Sequence, residues 1–303
     1  MSNVLVIGSN GFIGKNVCDH FMKLGYGIHA ADRSANSTHS HFTIYHSFDV
    51  TNDDFSRILE GVDAVVYLVS TLLPQPSNLN VELDVIENLL PVIKLLEAIK
   101  DSGHKTKVIF SSSGGTVYGD HDDHIPEDAS LVPKCSYGIL KVTVEHYLKL
   151  YYDLHDIPSV SLRLSNPYGP GQNVNKPQGV VGIFLKKILA HEKIEIWGDG
   201  SVIRDFVHVQ DVASAFAHAL AADSKADIFN IGSGKGLSLK DLLSLMFELT
   251  ETNSEVIYQP PRKVDVQCNI LDIRKANSFL KWKPNIDIRE GLASLIADKL
   301  SKD

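Results

Sequence analysis

A short glycine-rich stretch near the start of the chain, VLVIGSNGFIGKNV, constrains the fold most strongly. An apolar run at 4–7 precedes it, as is typical of a parallel strand buried on both faces. From Phe12 onward, apolar residues recur at helical spacing with polar residues between them. The glycines in the turn are spaced three residues apart: Gly8, Gly11 and Gly14. Such a turn directs a helix N-terminus, with its free N–H groups, towards an anion such as a phosphate.

The same alternation of strand and helix patterns continues through the first half of the chain. Strands are predicted near 3–7, 27–31, 62–69, 106–111 and 158–164, and helices near 12–25, 52–60, 80–102 and 135–155. This order predicts the α/β class, with a doubly wound parallel sheet and helices on both faces. After Asn166 a stretch rich in glycine, proline and asparagine predicts a long functional loop. Beyond it, helices are predicted near 179–191 and 209–222, a strand near 227–231, and helices at the C-terminus.

The composition excludes several classes of protein. The net charge of −8, with no basic run, argues against nucleic acid as a partner. No apolar stretch approaches the ~20 residues that cross a bilayer, and the N-terminus has no signal-peptide pattern. Cys18, Cys135 and Cys268 are far apart in the chain, so neither a disulfide framework nor a metal site is expected. These features predict a soluble cytoplasmic protein.

The residue that ends the second predicted strand indicates which dinucleotide would bind. Asp32, in IHAADRS, has the position from which a carboxylate accepts hydrogen bonds from an adenosine ribose. A carboxylate there repels the 2′-phosphate of NADP, so NAD is favoured. The neighbouring Arg33 argues the other way, because a guanidinium binds a phosphate well.

A tyrosine and a lysine four residues apart are the candidate catalytic pair. Tyr137 and Lys141 lie in SYGILKVTVEHYL, which is patterned as a helix, so both side chains share one helix face. An ammonium beside a phenol favours the phenolate, and an active-site base needs a pKa near the working pH. An ordinary exposed Tyr–Lys pair would have the same spacing, and the glycine turn is what favours catalysis.

These features together resemble the extended branch of the short-chain dehydrogenases/reductases, the NAD-dependent nucleotide-sugar epimerases and dehydratases. The resemblance covers nearly the whole chain. It rests on GSNGFIG, FDV, ENLLPVIKLLEA, FSSSGGTVYG, YGILK, LRLSNPYGPGQ, WGDGSVIRDFVHVQDVA and PPRKVDVQCNILDIRKANSFLKW. It implies a Rossmann-like NAD-binding domain, residues 1–166 and 209–232, and a smaller C-terminal lobe that binds the nucleotide sugar, residues 167–208 and 233–303.

The resemblance also implies roles for individual residues. Tyr137 is the expected base, and Lys141 is expected to hold the nicotinamide ribose and lower the tyrosine pKa. Asp49 and Val50 are expected to cover the adenine. The expected NAD-binding residues are Gly8, Asn10, Gly11, Phe12, Ile13, Gly14, Asp32, Arg33, Asp49, Val50, Leu68, Val69, Ser70, Asn88, Tyr137 and Lys141. For the nucleotide sugar, Arg204 and Arg262 are expected to bind the diphosphate, Asn166 to hold a phosphate, and Asp265 to lie near the nucleoside.

One part of the family pattern is altered in this chain. The family usually has a serine or threonine five residues before the glycine of its YG pair, and Gly114 occupies that position. Either Ser113 reaches the sugar hydroxyl through a bulge at the strand end, or Thr116 replaces it; a Gly-Gly pair favours Ser113. The stretch YLVS also stands where many members have His-Leu-Ala-Ala.

The resemblance narrows the reaction without fixing it. A dehydratase of this family would have an acidic residue before VYG, where this chain has Gly114, Gly115 and Thr116. The absence of that acid argues against a dehydratase. A ketosugar reductase would consume NADPH, which Asp32 disfavours, so 4-epimerisation of a UDP-hexose is the leading hypothesis. Asn269 stands where epimerases restricted to unacetylated sugars typically have tyrosine, which leaves room for an N-acetyl group. A non-catalytic NAD-binding regulator is the alternative outside enzymes, and a homodimer paired through two helices, 80–102 and 135–155, is the expected assembly.

Overall fold

A computed structural model describes residues 2–37, 44–72, 74–172, 179–261 and 266–300. Thirteen strands lie within these ranges: β1 (Asn3–Ile7), β2 (Gly27–Asp32), β3 (Ile44–Ser47), β4 (Ala64–Tyr67), β5 (Lys107–Ser113), β6 (Ser159–Leu164), β7 (Asn166–Tyr168), β8 (Ile194–Trp197), β9 (Ile203–His208), β10 (Ala226–Ile231), β11 (Gly236–Ser238), β12 (Val256–Gln259) and β13 (Cys268–Asn269).

The helices of the same residues alternate with the strands. They are α1 (Phe12–Lys23), α2 (Pro74–Ser77), α3 (Val81–Asp84), α4 (Leu90–Ser102), α5 (Gly114–Val117), α6 (Ser136–His155), α7 (Val180–Leu189), α8 (Val209–Ala221), α9 (Leu239–Thr250) and α10 (Ile288–Leu300). A 3₁₀ helix spans Phe55–Ile58, and two π-helical segments span Val85–Leu89 and Ala276–Leu280.

Seven parallel strands form the central sheet, in the order β10-β6-β5-β4-β1-β2-β3. The chain starts in the middle, at β1, builds outward to β3 on one side, and then returns to β4 on the other side. Sheets of this kind bind their ligands at the carboxyl ends of the strands where the order reverses, here β1 and β4. The predicted fold class, a Rossmann-like doubly wound sheet, is confirmed.

The alternation of side chains along β1 shows how the sheet is covered on both faces. Val4 and Val6 belong to a core with helices α1 and α8, whereas Leu5 and Ile7 belong to a second core with α4 and α6. All four side chains are buried, which is why the strand is a continuous apolar run.

The C-terminal part of the chain has a third apolar core between α7, α9 and α10. Strand β9 is central to its small sheet and pairs with β7, β11 and β13. Between these pieces the chain returns to the central sheet, where β10 pairs with β6 and α8 packs on α1.

Two helices differ from the sequence-based expectation. The helix predicted near 52–60 is only the short 3₁₀ helix. The helix predicted near 80–102 consists of α3 and α4, separated by the π-helical segment. At the end of that segment, the Leu90 N–H donates to Val85 O, five residues back. The next residue, Pro91, has no N–H with which to continue the usual helical pattern.

The edge strand β3 was not predicted, because IYHS carries polar residues where a buried strand pattern would be apolar. Within the part of the chain that the structure describes, no helix is long and apolar enough to cross a membrane.

Candidate active site

The glycine turn connects β1 to α1 at the reversal of strand order. The N–H groups of Gly8 and Ser9 both donate to Ala31 O, at 2.9 and 3.2 Å, which holds the turn against β2. Gly8 has a φ of +89°, a conformation that side chains other than glycine rarely adopt. A Cβ on Gly14 would lie 2.1 Å from Gly8 O. Glycine is therefore required at both positions for the turn to be this tight.

The first turn of α1 is arranged to receive an anion. Its N-cap is Gly11, which offers no side chain to the first N–H groups of the helix. Phe12 and Ile13 are half-buried and follow directly. Uncapped N–H groups at a helix start, combined with the helix dipole, stabilise a phosphate.

Asp32 is the last residue of β2 and lies beside the glycine turn. Its carboxylate accepts hydrogen bonds from the N–H of Asn10 at 3.1 Å and of Ser34 at 3.3 Å. The Asn10 side chain in turn donates to the Tyr45 hydroxyl on β3. Arg33 is exposed. The charged group that the structure holds in place beside the turn is therefore the Asp32 carboxylate.

The two residues expected at an adenine lie after β3. Val50 is buried, and the Asp49 carboxylate accepts from the Thr51 N–H and hydroxyl at 3.0 and 2.7 Å. Those hydrogen bonds hold the pKa of Asp49 below its usual range, so it stays an acceptor.

The loop after β4 carries the next group of expected cofactor residues. Leu68 continues the sheet by donating to Ile7 O at 3.0 Å, and a Cβ on Gly8 would be 3.3 Å from Val69. Asn88 accepts from the Thr71 N–H at 2.9 Å and donates to the Thr71 hydroxyl and Asp84. The Asn88 amide therefore holds the loop that contains Ser70.

Tyr137 and Lys141 lie on one face of α6, as the spacing predicted, and line a small cavity at the carboxyl end of the sheet. Lys141 Nζ is 5.2 Å from the centre of the Tyr137 ring and donates to Ser111 O at 2.7 Å. Other residues of the cavity include Val69, Ser70 and Asn88. The structure thus brings the candidate catalytic pair and the β4 loop together.

Burial dominates the acid–base properties of the pair. It raises the pKa of Tyr137 to about 12, and hydrogen bonds with the hydroxyls of Ser70 and Ser113 oppose that rise. Burial lowers the pKa of Lys141 to about 8, against the opposing effect of two carboxylates, Glu145 and Asp84. The expected lowering of the tyrosine pKa is therefore not seen in the ligand-free site, where desolvation of the phenolate is the largest effect.

The two candidates for the missing family serine are placed differently. Ser113 ends β5 in regular register with Leu164, so the expected bulge is absent, and its hydroxyl still reaches Tyr137. Thr116 Oγ1 is buried and has no hydrogen-bond partner among the described residues. A Cβ at position 114 would lie 2.5 Å from the Leu271 side chain, so this position requires glycine.

Three of the expected substrate residues lie on β7, β9 and β13, which belong to the small sheet around β9. Asn166 donates to Asp205 O at 2.9 Å, and Arg204 donates to Ile203 O at 2.9 Å. Asn269 is paired with Arg204 in register and donates to Gly114 O at 3.1 Å, which brings the lobe to the strand end that carries Ser113. The other two, Arg262 and Asp265, lie outside the described residues.

Sequence analysis missed how the start of α6 is held. Cys135 is the N-cap but makes no side-chain cap. Instead, Asn78 Oδ1 accepts from the Ser136 N–H at 2.9 Å, and Ser77 Oγ accepts from the Tyr137 N–H at 3.1 Å. These contacts join residues about sixty positions apart, and no local pattern signals them.

Sequence analysis also missed a buried ion pair under the site. Arg163 on β6 donates to both carboxylate oxygens of Glu145, at 3.0 and 2.6 Å, and both side chains are buried. Ser112 adds a hydrogen bond to Glu145 at 2.6 Å. Glu145 lies one helical turn beyond Lys141. The sequence signal for this ion pair was the presence of an arginine inside the apolar run of β6.

A doubly wound sheet with a bare glycine turn at its reversal point, next to a Tyr–Lys pair, defines a dinucleotide-dependent enzyme of the short-chain dehydrogenase/reductase type. The sequence matches the NAD dependent epimerase/dehydratase family over residues 4–232. The chain belongs to this family, and its cofactor is NAD. The uncapped start of α1, the absent Cβ at Gly14 and the carboxylate of Asp32 fit that cofactor.

Relatives of different activity resemble the chain over its whole length. A protein of Methanocaldococcus jannaschii named putative UDP-glucose 4-epimerase is 34% identical, with 97% of each chain covered. The dTDP-4-dehydro-6-deoxyglucose reductase of Escherichia coli is 33% identical, covering 97% of this chain and 96% of the relative. The crystal structure of the UDP-glucose 4-epimerase of Thermotoga maritima with UDP-glucose has a TM-score of 0.94 at 33% identity and covers 99% of each chain.

Proposed function

We propose that the protein interconverts the C4 epimers of a UDP-hexose, either UDP-glucose and UDP-galactose or the corresponding N-acetylhexosamine pair. The observation that carries the proposal is the pairing of half-buried Tyr137 with buried Lys141 in a cavity at the carboxyl end of β5 and β4, beside the NAD turn. The similarity to UDP-glucose 4-epimerases over the whole chain supports the substrate class.

In the proposed reaction the protein's own residues move a proton and hold the substrate. Tyr137 removes the proton of the sugar 4-hydroxyl, and Ser113 hydrogen-bonds with the tyrosine hydroxyl. Lys141, fixed to Ser111 O, supplies positive charge that stabilises the phenolate form of Tyr137 before it takes this proton, and Tyr137 gives the proton back to the sugar oxygen when the hydride is returned to C4. When bound, NAD would supply the acceptor and then the donor of the C4 hydride, which makes the overall reaction redox-neutral. The 4-keto sugar turns over in the site between the two transfers.

The nucleotide must be held firmly while the sugar turns. Arg204, together with Arg262 and Asp265, is proposed to bind the diphosphate and nucleoside, and Asn166 a phosphate. A cavity of about 710 Å³ adjoins this region, with Trp197, Tyr258 and Lys240 in its wall. Its wall also contains Pro261 and Gln267, which flank the segment of Arg262 in the sequence, so we assign it to the nucleobase side of the site.

The test of this function needs no added cofactor. Purified protein is incubated with UDP-galactose, and separately with UDP-N-acetylgalactosamine, and the anomeric protons are followed by NMR. New signals of the gluco epimer establish a 4-epimerase with resident NAD. No conversion, even with NAD added, overturns the proposal.

The second candidate is a reductase of nucleotide-linked 4-keto-6-deoxy sugars that uses NADH or NADPH. The similarity to the Escherichia coli reductase, of the same extent as that to the epimerases, favours it specifically. The same Tyr–Lys pair would then donate a proton to the ketone. Oxidation of NADH or NADPH with such a ketosugar, in a protein inactive on UDP-galactose, would establish this function instead.

The hydroxyl that assists Tyr137 is tested by two single-hydroxyl deletions. Ser113→Ala is expected to lower kcat by about 10- to 100-fold, because it removes a hydrogen bond to the base. Thr116→Val keeps the side-chain volume and removes a hydroxyl that bonds to no described residue, so kcat should change less than about 3-fold. A larger loss from Thr116→Val than from Ser113→Ala would reverse the assignment.

Asn269 is proposed to decide whether an N-acetyl sugar is accepted. The side chain is 1% exposed, lies beside the Ser113 strand end, and its Oδ1 bonds to no described residue. Asn269→Tyr fills this space, so turnover of UDP-N-acetylgalactosamine should fall at least about 100-fold while UDP-galactose is spared. Competing rates on the two substrates in one NMR tube measure the ratio, and an equal loss on both sugars would contradict the role.

We also propose the division into an NAD-binding domain, 1–166 and 209–232, and a substrate lobe, 167–208 and 233–303. A homodimer is proposed through α4 and α6, whose outer faces expose several large apolar side chains: Leu90, Ile139, Leu150 and Leu154. A cytoplasmic location stays a prediction from the sequence.

A further inference from the structure

A buried carboxylate in the catalytic cavity has no assigned role. Asp84, the last residue of α3, is 0% exposed and lines the same cavity as Tyr137 and Lys141. Burying a charged carboxylate is costly unless charge and hydrogen bonds compensate it. A residue retained at such a cost, inside the catalytic cavity, requires an explanation.

The hydrogen bonds of Asp84 come from neutral groups. Ser136 Oγ donates to Oδ2 at 2.6 Å, and Asn88 Nδ2 donates to Oδ1 at 2.8 Å. These bonds satisfy both oxygens but add no positive charge. The nearest compensating cation in the cavity is Lys141, which makes no direct ion pair with a described residue and is held by the neutral Ser111 O.

The other buried carboxylate near Lys141 has a cationic partner of its own. Glu145 is bound by Arg163 through two hydrogen bonds and also raises the pKa of Lys141, whereas no described cation is bound directly to Asp84. The described titratable groups around Asp84 are then Tyr137, Lys141 and Cys135 at the start of α6, with Glu87 on the adjoining π-helical segment partly exposed.

We propose that Asp84 is the buried counter-ion of Lys141 across the cavity and a positioning residue for the Tyr137–Lys141 pair. Its catalytic consequence rests on the proposed function. The counter-ion itself belongs to the ligand-free protein and does not depend on turnover.

The hydrogen-bond chain through Asp84 also accounts for the positioning. It runs from Thr71, in the loop after β4, through Asn88 and Asp84 to Ser136, the residue before Tyr137. The loop that carries Ser70 and the helix that carries the base are therefore joined behind the cavity. Each oxygen of Asp84 holds one side of this connection: Oδ1 accepts from Asn88, and Oδ2 accepts from Ser136.

Removing the negative charge of Asp84 should change the pKa values of Lys141 and Tyr137 in a known direction. A carboxylate stabilises the protonated lysine and opposes formation of the phenolate, so it raises the pKa of both Lys141 and Tyr137. Its loss should lower both values together. A purely structural role would leave them unchanged.

Asp84→Asn is the variant of choice, because it removes the charge and can keep both hydrogen bonds. The new amide would present oxygen to Asn88 and nitrogen to Ser136, whose hydroxyl rotates to accept. The ligand-free protein, labelled with ¹³Cε-lysine, is titrated by NMR, and Lys141→Met identifies the resonance. The Lys141 pKa, about 8 in the parent, should fall by about one unit.

Two controls isolate the charge. Asp153→Asn makes the same charge change on the exposed side of α6 and should leave the Lys141 titration unchanged. Ser136→Ala removes one hydrogen bond to Asp84 but not its charge, and should shift the titration much less than Asp84→Asn. Equal titrations in the parent and Asp84→Asn overturn the counter-ion.

The pH profile of kcat/KM links the counter-ion to the reaction. In Asp84→Asn both limbs of the profile should move to lower pH, and an unmoved profile overturns the catalytic part of the proposal. If Asp84→Asn does not fold, Asp84→Asn/Lys141→Met should fold because both charges are gone, and its failure would overturn the counter-ion too. A parent without epimerase activity overturns the proposed function alone, since the lysine titration still decides on Asp84.

Discussion

Replacing Tyr137 with phenylalanine is expected to lower kcat for UDP-galactose by about 1,000-fold, the usual contribution of a positioned base being about 10²–10⁴. The variant keeps the ring that packs beside Lys141 and loses only the hydroxyl that is proposed to take the substrate proton. No other described phenol lines that cavity. Initial rates of conversion by NMR, at saturating substrate, measure the loss.

The matched control is Tyr152→Phe, which removes a phenol from the same helix at a half-buried position away from the cavity. It should retain full activity. NAD affinity of Tyr137→Phe, measured by calorimetry, should stay within a few-fold of the parent, because the glycine turn and Asp32 are untouched. If conversion of UDP-galactose survives Tyr137→Phe unchanged, Tyr137 is not the base and that part of the proposal is wrong.

The cofactor half of the site could be predicted from the sequence because its parts are local. A strand, a glycine turn and a helix are consecutive, and the carboxylate at the end of β2 follows within the next strand. The Tyr137–Lys141 pair needs only the helical repeat to share a face. Motifs contained in one or two turns of chain are read directly from spacing.

The remaining parts of the site depend on distant segments. Asp84 is adjacent to Ser136 only because α3 packs on α6, and Ser77 meets the Tyr137 N–H only because α2 packs on α6. Position 114 requires glycine because Leu271, from the far end of the chain, packs where a side chain would be. The periodicity of apolar residues in a sequence does not indicate which distant residue fills such a space.

The tyrosine pKa shows the same limit in energetic form. The spacing predicts a nearby ammonium, but the degree of burial depends on the whole cavity, and burial sets the larger effect. Sequence therefore predicts which groups interact along a helix, whereas the tertiary structure determines which of the opposing effects on their pKa values prevails.

Removal of the Glu145 charge is expected to have the largest effect on stability. Glu145→Gln leaves Arg163, which is 2% exposed, without its carboxylate, and an uncompensated buried charge costs about 3–5 kcal/mol. The melting temperature should fall by roughly 10 °C for a chain of this size. Urea unfolding followed by tryptophan fluorescence and circular dichroism gives the free-energy difference.

The exposed pair of Arg289 and Glu248 is the matched control, because it has the same two-bond geometry, at 2.9 and 2.8 Å, on the surface. Glu248→Gln should cost less than about 1 kcal/mol. A similar small cost for Glu145→Gln would contradict the importance of burial. Glu145→Met/Arg163→Met should recover most of the loss, since removing both charges removes the desolvation cost with them. If that double variant is stable yet slow, the pair serves to align Lys141 one turn away rather than to hold the fold.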